Sequence, residues 1–351
     1  IPPHAALEPG TMKGARRFPH PRSWGSRASR ERTGTLPDGS SRMNTPEVSI
    51  GLPVFNGARY LGAALESILE QSFEDFEVVI CDNASTDATA SIARAFADAD
   101  PRVRVHRNAT NLGAVPNYNL TFELARGRFF KWAAYDDTLE PTYLELTVAP
   151  LRADPDIVVS HSGIRAIDPR GRELRTYATG IEAAHGESVS ERFAALVLVP
   201  HRCMEIFALL RSDALRRTSL QLPYHGCDRA LLAELGLIGR FHHVEAPLFN
   251  NREHEEQYVR SVPAEERARW ADTSCSGRVG VPTWSLYRQY SRAIESYVED
   301  PRERRRCRRV LTRWWITNWH AARLGVEALS ALSPEVHRLA TRLRRRLDPA
   351  A

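Results

Sequence analysis

The chain has 351 residues, of which 42% are hydrophobic and 26% charged, with a formal net charge of +5. That composition is globular and long enough for one large domain with additions, and no apolar run approaches the ~18 residues that span a bilayer. The basic excess is confined to the ends: residues 301–351 carry thirteen Lys/Arg against four Asp/Glu, whereas residues 45–300 carry 27 against 36. The net charge is therefore no argument for a nucleic-acid partner.

Residues 1–44 are rich in Pro, Gly, Ser and Arg, without periodicity or an apolar signal-peptide core, which predicts a disordered leader. Met43 stands directly before the first ordered segment, so the leader reads as translated upstream sequence or a fragment end rather than a functional arm. Order begins with a buried strand, Val48 to Val54. A helix follows over 58–71, with Leu61, Leu65, Ile68 and Leu69 on one face, then a strand from Phe76 to Asp82. A helix from Asp87 to Ala97, a short strand at Val103–Val105, a helix over 115–126 and a strand over 128–135 bring the chain to Asp136 and Asp137. This β-α-β-α alternation implies a mainly parallel sheet covered by helices.

Further on, the pattern predicts a helix from Pro141 to Arg152, strands at Asp156–Ser160 and Glu205–Leu210, a helix from Asp228 to Leu237 and a strand at Phe241–Glu245. Residues 161–200 give no clear pattern. From Trp284 the chain turns helical. Leu311, Trp314, Trp315 and Trp319 share one face, preceded by Arg304, Arg305, Arg308 and Arg309. That face predicts packing on the main domain; the alternative is an amphipathic helix on an anionic membrane. Five scattered cysteines without a CxxC pair point to free thiols in a reducing, cytoplasmic compartment.

The chemistry gathers where strands end. Asp136 and Asp137 put hard oxygen ligands at a sheet edge, which suits Mg²⁺ or Mn²⁺ holding a phosphorylated substrate. Pro53-Val54-Phe55-Asn56-Gly57 breaks the first strand and lets backbone approach a ligand closely. Asp82 ends the second strand, where a carboxylate can accept from a nucleobase imide or a ribose hydroxyl. Asp87 caps the next helix as readily as it meets a ligand. His254 has no second histidine at HxxH or HExxH spacing, so a metal site of that kind fails, and the lack of a GxGxxG after the first strand disfavours a dinucleotide-dependent oxidoreductase.

Taken together, Val48–Gly57, Phe76–Asp87, Asn111-Leu112-Gly113 through Asn119, Ala125-Arg126-Gly127 and Tyr135-Asp136-Asp137 resemble the nucleotide-sugar-binding domain of family 2 glycosyltransferases, the inverting GT-A fold enzymes. The likeness extends through Gly226-Cys227-Asp228-Arg229 and Pro247 to His254. It implies a Rossmann-like GT-A domain over 45–260, with a nucleotide-sugar half at 45–155 and an acceptor and catalytic half at 156–260. Residues 261–351 would be a C-terminal helical extension. By the same resemblance, Pro53, Phe55, Asn56, Asp82, Asn83, Asn111, Gly113 and Asn119 form the donor nucleotide site. Asp136 and His254 serve the metal, and Asp137 lies beside it, near the donor sugar or the metal. Asp228 stands where the catalytic base does. The implied partners are a nucleotide-diphospho-sugar donor, a divalent metal (Mn²⁺ or Mg²⁺) and a saccharide, lipid-linked or other hydroxyl acceptor. The implied setting is cell-envelope polysaccharide or glycolipid synthesis on the cytoplasmic side of the membrane. Two departures stand out: Ala134 occupies the place of a frequent third acid, and Tyr118 replaces the Arg often found before Asn119. The first keeps open a catalytically silent sugar-nucleotide-binding or scaffold protein at a membrane surface.

Overall fold

The computed structural model describes residues 45–255, except 178 and 225, and residues 282–317. The leader, Cys275 and Trp319 lie outside the described residues.

Seven consecutive buried residues form β1 (Val48–Val54) and seven more form β2 (Phe76–Asp82). Runs apolar on both faces belong to parallel strands covered on both sides, and β1 pairs in parallel with β2 and with β4 (Phe129–Trp132). β3 (Val103–Arg107) adds in parallel beyond β2. On the other side of β4, β8 (Leu209–Arg211) runs antiparallel and leads to β6 (Ile157–Ile167). β6 runs parallel to the long β9 (Arg240–Arg252), which carries the short β5 (Thr138–Leu139) at its far edge. β7 (Glu173–Tyr177) pairs with β6 off the main path. The order β3-β2-β1-β4-β8-β6-β9-β5 is one mixed sheet, so the two predicted halves share it.

The side chains of β4 show how the layers form. Phe129 joins a core with α1 (Leu61–Leu69), α2 (Thr89–Ala99) and α4 (Tyr143–Ala153). Phe130 and Trp132 point the other way, among residues of α3 (Ala114–Glu123), α5 (Val189–Leu198), α6 (Ser212–Arg217) and α7 (Cys227–Ile238). A third cluster joins α5 and α7 to α8 (Pro282–Tyr297) and α9 (Pro301–Thr317). Within it Trp314 is buried edge-on to Tyr290, and Glu303 of α9 accepts a hydrogen bond from the Ser190 backbone at 2.8 Å. The Leu311–Trp314 face thus packs on the domain.

Three sequence expectations are corrected. β4 stops at Trp132, four residues before Asp136, because Ala133 makes the last bond toward β1 (its N–H to Gly51 O, 2.9 Å). Residues 204–207 form a 3₁₀ turn rather than a strand, with Cys203 in the left-handed region at φ 57° redirecting the chain. β6 and β9 run far past their predicted ends.

Candidate functional site

The carboxyl ends of β1 and β2 are tied into one platform. Asn56, left-handed at φ 51°, donates its backbone N–H to Ser85 Oγ at 2.9 Å and accepts from the Thr86 N–H at 2.8 Å. Gly57 N–H meets Thr89 Oγ1 at 2.9 Å, and a side chain at Gly57 would lie 2.6 Å from the Tyr135 ring. Only glycine admits that contact between the first turn and the approach to the acidic pair. Asp87 accepts from the Thr89 backbone and hydroxyl and from Ala58 N–H, so its carboxylate is spent on holding the two turns. Phe55 stays 44% exposed on this platform, an aromatic face open to a base.

Asp82 is fully buried. Its Oδ1 accepts from Ser85 N–H at 2.9 Å, and its Oδ2 lies 3.4 Å from Arg107 Nε. That guanidinium is half-exposed. Asn83 donates to Asn111 Oδ1 and Gly113 O, and accepts from Asn108 Nδ2 and Leu112 N–H. All four of its hydrogen-bonding positions are used, so it shapes the 111–113 loop from below. Gly113, at φ 91°, turns that loop into α3. Pro53 lies within β1, opposite Cys81. Asn119 of α3 clamps a distant segment at both ends of its amide, donating to Gln221 O and accepting from Gln221 N–H.

The acidic pair is largely buried. Asp137 Oδ1 accepts from Arg252 N–H at 2.8 Å and Asn251 Nδ2 at 3.1 Å. Burial, then the charge of Asp136, pushes its carboxyl well above the usual carboxylate range. Asp136 Oδ2 sits 2.8 Å from His254 Nε2, and Tyr60 packs its ring on His254 at 4.8 Å. Two crowded, desolvated carboxylates are a setting that a cation relieves. Among the described residues, however, no three His, Cys, Asp or Glu side chains are arranged to hold a metal ion. Asp136 and His254 offer two facing donors; any further ligands would have to come from elsewhere.

Asp228 opens α7 just after Gly226, which is left-handed at φ 91°. Burial raises its pKa, opposed by hydrogen bonds from Gln221 and Cys227. Tyr118 links it to the acidic pair. Burial, followed by the charges of Asp136, Asp228 and Asp137, raises the Tyr118 phenol. The charges of all three carboxylates thus act on the residue that stands where the resemblance would place an arginine.

Residues that the sequence left unmarked complete the site. Gln221 connects Asn119 to the Asp228 turn, yet it lies in a stretch without periodicity. Arg107 and Tyr60 could be found only through the fold. Lys131 was visible as a charge inside an apolar strand. It is wholly buried, its Nζ donating to Phe207 O and facing the rings of Tyr143 and Phe249.

Residues 49–217 match the family model described as Glycosyl transferase family 2. The hyaluronan synthase of Pasteurella multocida is 27% identical over 217 residues, 61% of this chain and 21% of that one. The chondroitin synthase of Escherichia coli is 34% identical over 134 residues, 38% of this chain and 19% of that one. The chain thus matches only about a fifth of the length of either relative. Among solved structures, S. aureus TarS 1–349 aligns at TM-score 0.57 and 14% identity, over 84% of this chain and 83% of that one. The same protein in complex with UDP-GlcNAc aligns at TM-score 0.55 and 16% identity over the same shares. At that identity the likeness is one of fold. Residues 49–217 are thus a glycosyl transferase family 2 domain, on a GT-A fold.

Proposed function

We propose that this protein transfers a sugar from a nucleotide-diphosphate donor to an acceptor hydroxyl with inversion, using Asp228 as general base. The observation that carries the reading is the buried pair Asp136 and Asp137, with His254 2.8 Å from Asp136, beside a platform built from the β1 and β2 turns. The nucleotide would rest on Phe55 and Asn56, with Asp82 meeting the base or ribose once Arg107 swings away. Asn83, Asn111, Gly113 and Asn119 position the walls. Asp136 and His254 would hold a divalent cation together with diphosphate oxygens, and Asp137 would stand beside it; bound there, the cation neutralises charge growing on the leaving phosphate. As the acceptor oxygen bonds to the anomeric carbon, its proton passes to Asp228. The sugar–phosphate bond breaks on the opposite face, its electron pair leaving with the diphosphate, through an oxocarbenium-like transition state. Burial of Asp228 favours this role because a raised pKa makes a stronger base.

The bound UDP-GlcNAc of TarS makes UDP-sugars the first donors to try. Cell-envelope polysaccharide or glycolipid synthesis in the cytoplasm belongs to the same reading. A silent sugar-nucleotide-binding protein is the second reading, favoured by the lack, among the described residues, of a third metal-ligating side chain beside Asp136 and His254. The test is incubation with a panel of nucleotide sugars and Mn²⁺, following release of the nucleoside diphosphate. Slow hydrolysis of one donor supports the enzyme. Binding of a donor with none hydrolysed supports the silent protein instead.

A further inference from the structure

The inner face of α9 is committed to the domain core: Cys307, Leu311 and Trp314 are buried, and Glu303 bonds to the start of α5. What the helix turns outward is basic. Arg302, Arg305, Arg306, Arg308, Arg309 and Arg313 are all exposed. Glu303 is the helix's one acid and sits at the edge of the buried face, bonded to Arg306. Arg308 pairs with Glu295 of α8. At 100° per residue Arg302, Arg305, Arg309 and Arg313 fall on one stripe, and the same stripe ends on Ile316, 68% exposed. The neighbouring helix adds Trp284, 43% exposed and stacked on Tyr287, which meets Trp315 edge-on. No helix among the described residues is long and apolar enough to cross a membrane.

A single-sign stripe on a folded helix costs self-repulsion and gives the core nothing. Its chemistry complements an anionic sheet of charge, and an isoleucine and a tryptophan at its rim suit the shallow headgroup zone. We infer that the arginine stripe of α9 docks this protein on an anionic lipid bilayer surface, with Ile316 and Trp284 at the rim of the contact. The docking is electrostatic and peripheral. It differs from the amphipathic insertion that the tryptophan face suggested in the sequence, since Trp314 is held in the core. Its consequence would be to bring the site to acceptors at the membrane. It does not depend on the transfer chemistry.

The experiment is co-sedimentation of the full chain with vesicles of phosphatidylcholine alone or mixed with phosphatidylglycerol, at low and high salt. Binding to the anionic vesicles that high salt releases is expected, with little binding to the neutral ones. Each arginine at such a surface is worth roughly a fivefold factor in partitioning. The triple variant Arg305→Ser, Arg309→Ser, Arg313→Ser should therefore bind roughly a hundredfold more weakly. A control, Arg94→Ser, Arg170→Ser, Arg216→Ser, removes equal charge from exposed positions elsewhere and should bind like the parent. Equal losses in both variants would reduce the effect to net charge and overturn the proposal. So would salt-insensitive binding, or binding to duplex DNA with none to vesicles. Circular dichroism of the α9 variant should match the parent, because these side chains face water.

Discussion

Replacing Lys131 by methionine should stabilise the protein in a pH-dependent way. Lys131 is fully buried, and that burial pushes its ammonium from 10.5 down to about 7, the charge of Asp137 opposing the shift. The unfolded chain takes up this proton near its ordinary pKa; the folded chain resists it. The penalty on folding is therefore absent well above pH 10.5, grows as the pH falls, and is complete below about pH 7. At 1.36 kcal/mol per pH unit it reaches on the order of 5 kcal/mol. Methionine fills a similar volume without titrating. It forfeits the hydrogen bond to Phe207 O, worth about 1.5–3 kcal/mol for a charged donor, but Tyr143 Oη still donates to that carbonyl at 3.3 Å. The net gain is about 2–4 kcal/mol near pH 6.5, shrinking to nothing near pH 10. Urea unfolding at pH 6.5, 8 and 9.5, without nucleotide or metal, reads the difference. A gap between variant and parent that stays constant with pH would refute the reasoning. The predicted gain would mark Lys131, on the strand that leads to the acidic pair, as a residue kept for the site rather than for packing.

Other expectations concern the framework and the site. Glu77 is buried. Burial alone would raise its pKa, but bonds from Arg126 and Ser49 and the charge of Arg104 hold it below its ordinary value. Its contribution is therefore present above about pH 4.5 and lost as the pH falls through the lower folded value. Glu77→Gln should cost about 1.5–3 kcal/mol at pH 7, the range for hydrogen bonds to a charged group, and flatten acid unfolding below about pH 4.5; an unchanged acid limb contradicts this. Asn119→Ala cuts both links to Gln221 and frees the Asp228 turn, so kcat should drop tenfold or more, roughly as expected for a displaced catalytic group, with donor KM little changed. Equal loss in both constants would make Asn119 a donor contact instead. Asp136→Asn should abolish the Mn²⁺-dependent part of donor binding in a thermal-shift titration, and retention of normal affinity would remove Asp136 from the metal site.

Much of the scaffold was legible because its signals are local. β1 and β2 are unbroken apolar runs, and α7 has Leu231, Leu232 and Leu235 at helical spacing. The failures have equally local causes. β6 continues through Ser160-His161-Ser162-Gly163, a polar stretch whose burial comes from pairing with β9, where His161 stacks on His243 at 4.7 Å. β9 carries Pro247 through a register shift, which no alternation pattern anticipates. In the site, Asp136, Asp137, Asp228 and His254 were legible as residue types at strand and helix ends. What the sequence could not carry is division of labour. Asn83 and Asn119 look like ligand contacts, yet their amides are occupied by the chain itself. Gln221, which ties Asn119 to the Asp228 turn, and Arg107, which pairs with Asp82, act across about a hundred and about twenty-five residues of sequence respectively.

The account's central claim is that Asp228 is the base of a transfer site rather than a residue at a helix start. The most direct test measures donor affinity and nucleoside diphosphate release in Asp228→Asn beside the parent. The account predicts donor binding within about twofold and release slowed by at least ~100-fold, the range for loss of a general base. Unchanged turnover with intact donor binding would contradict it.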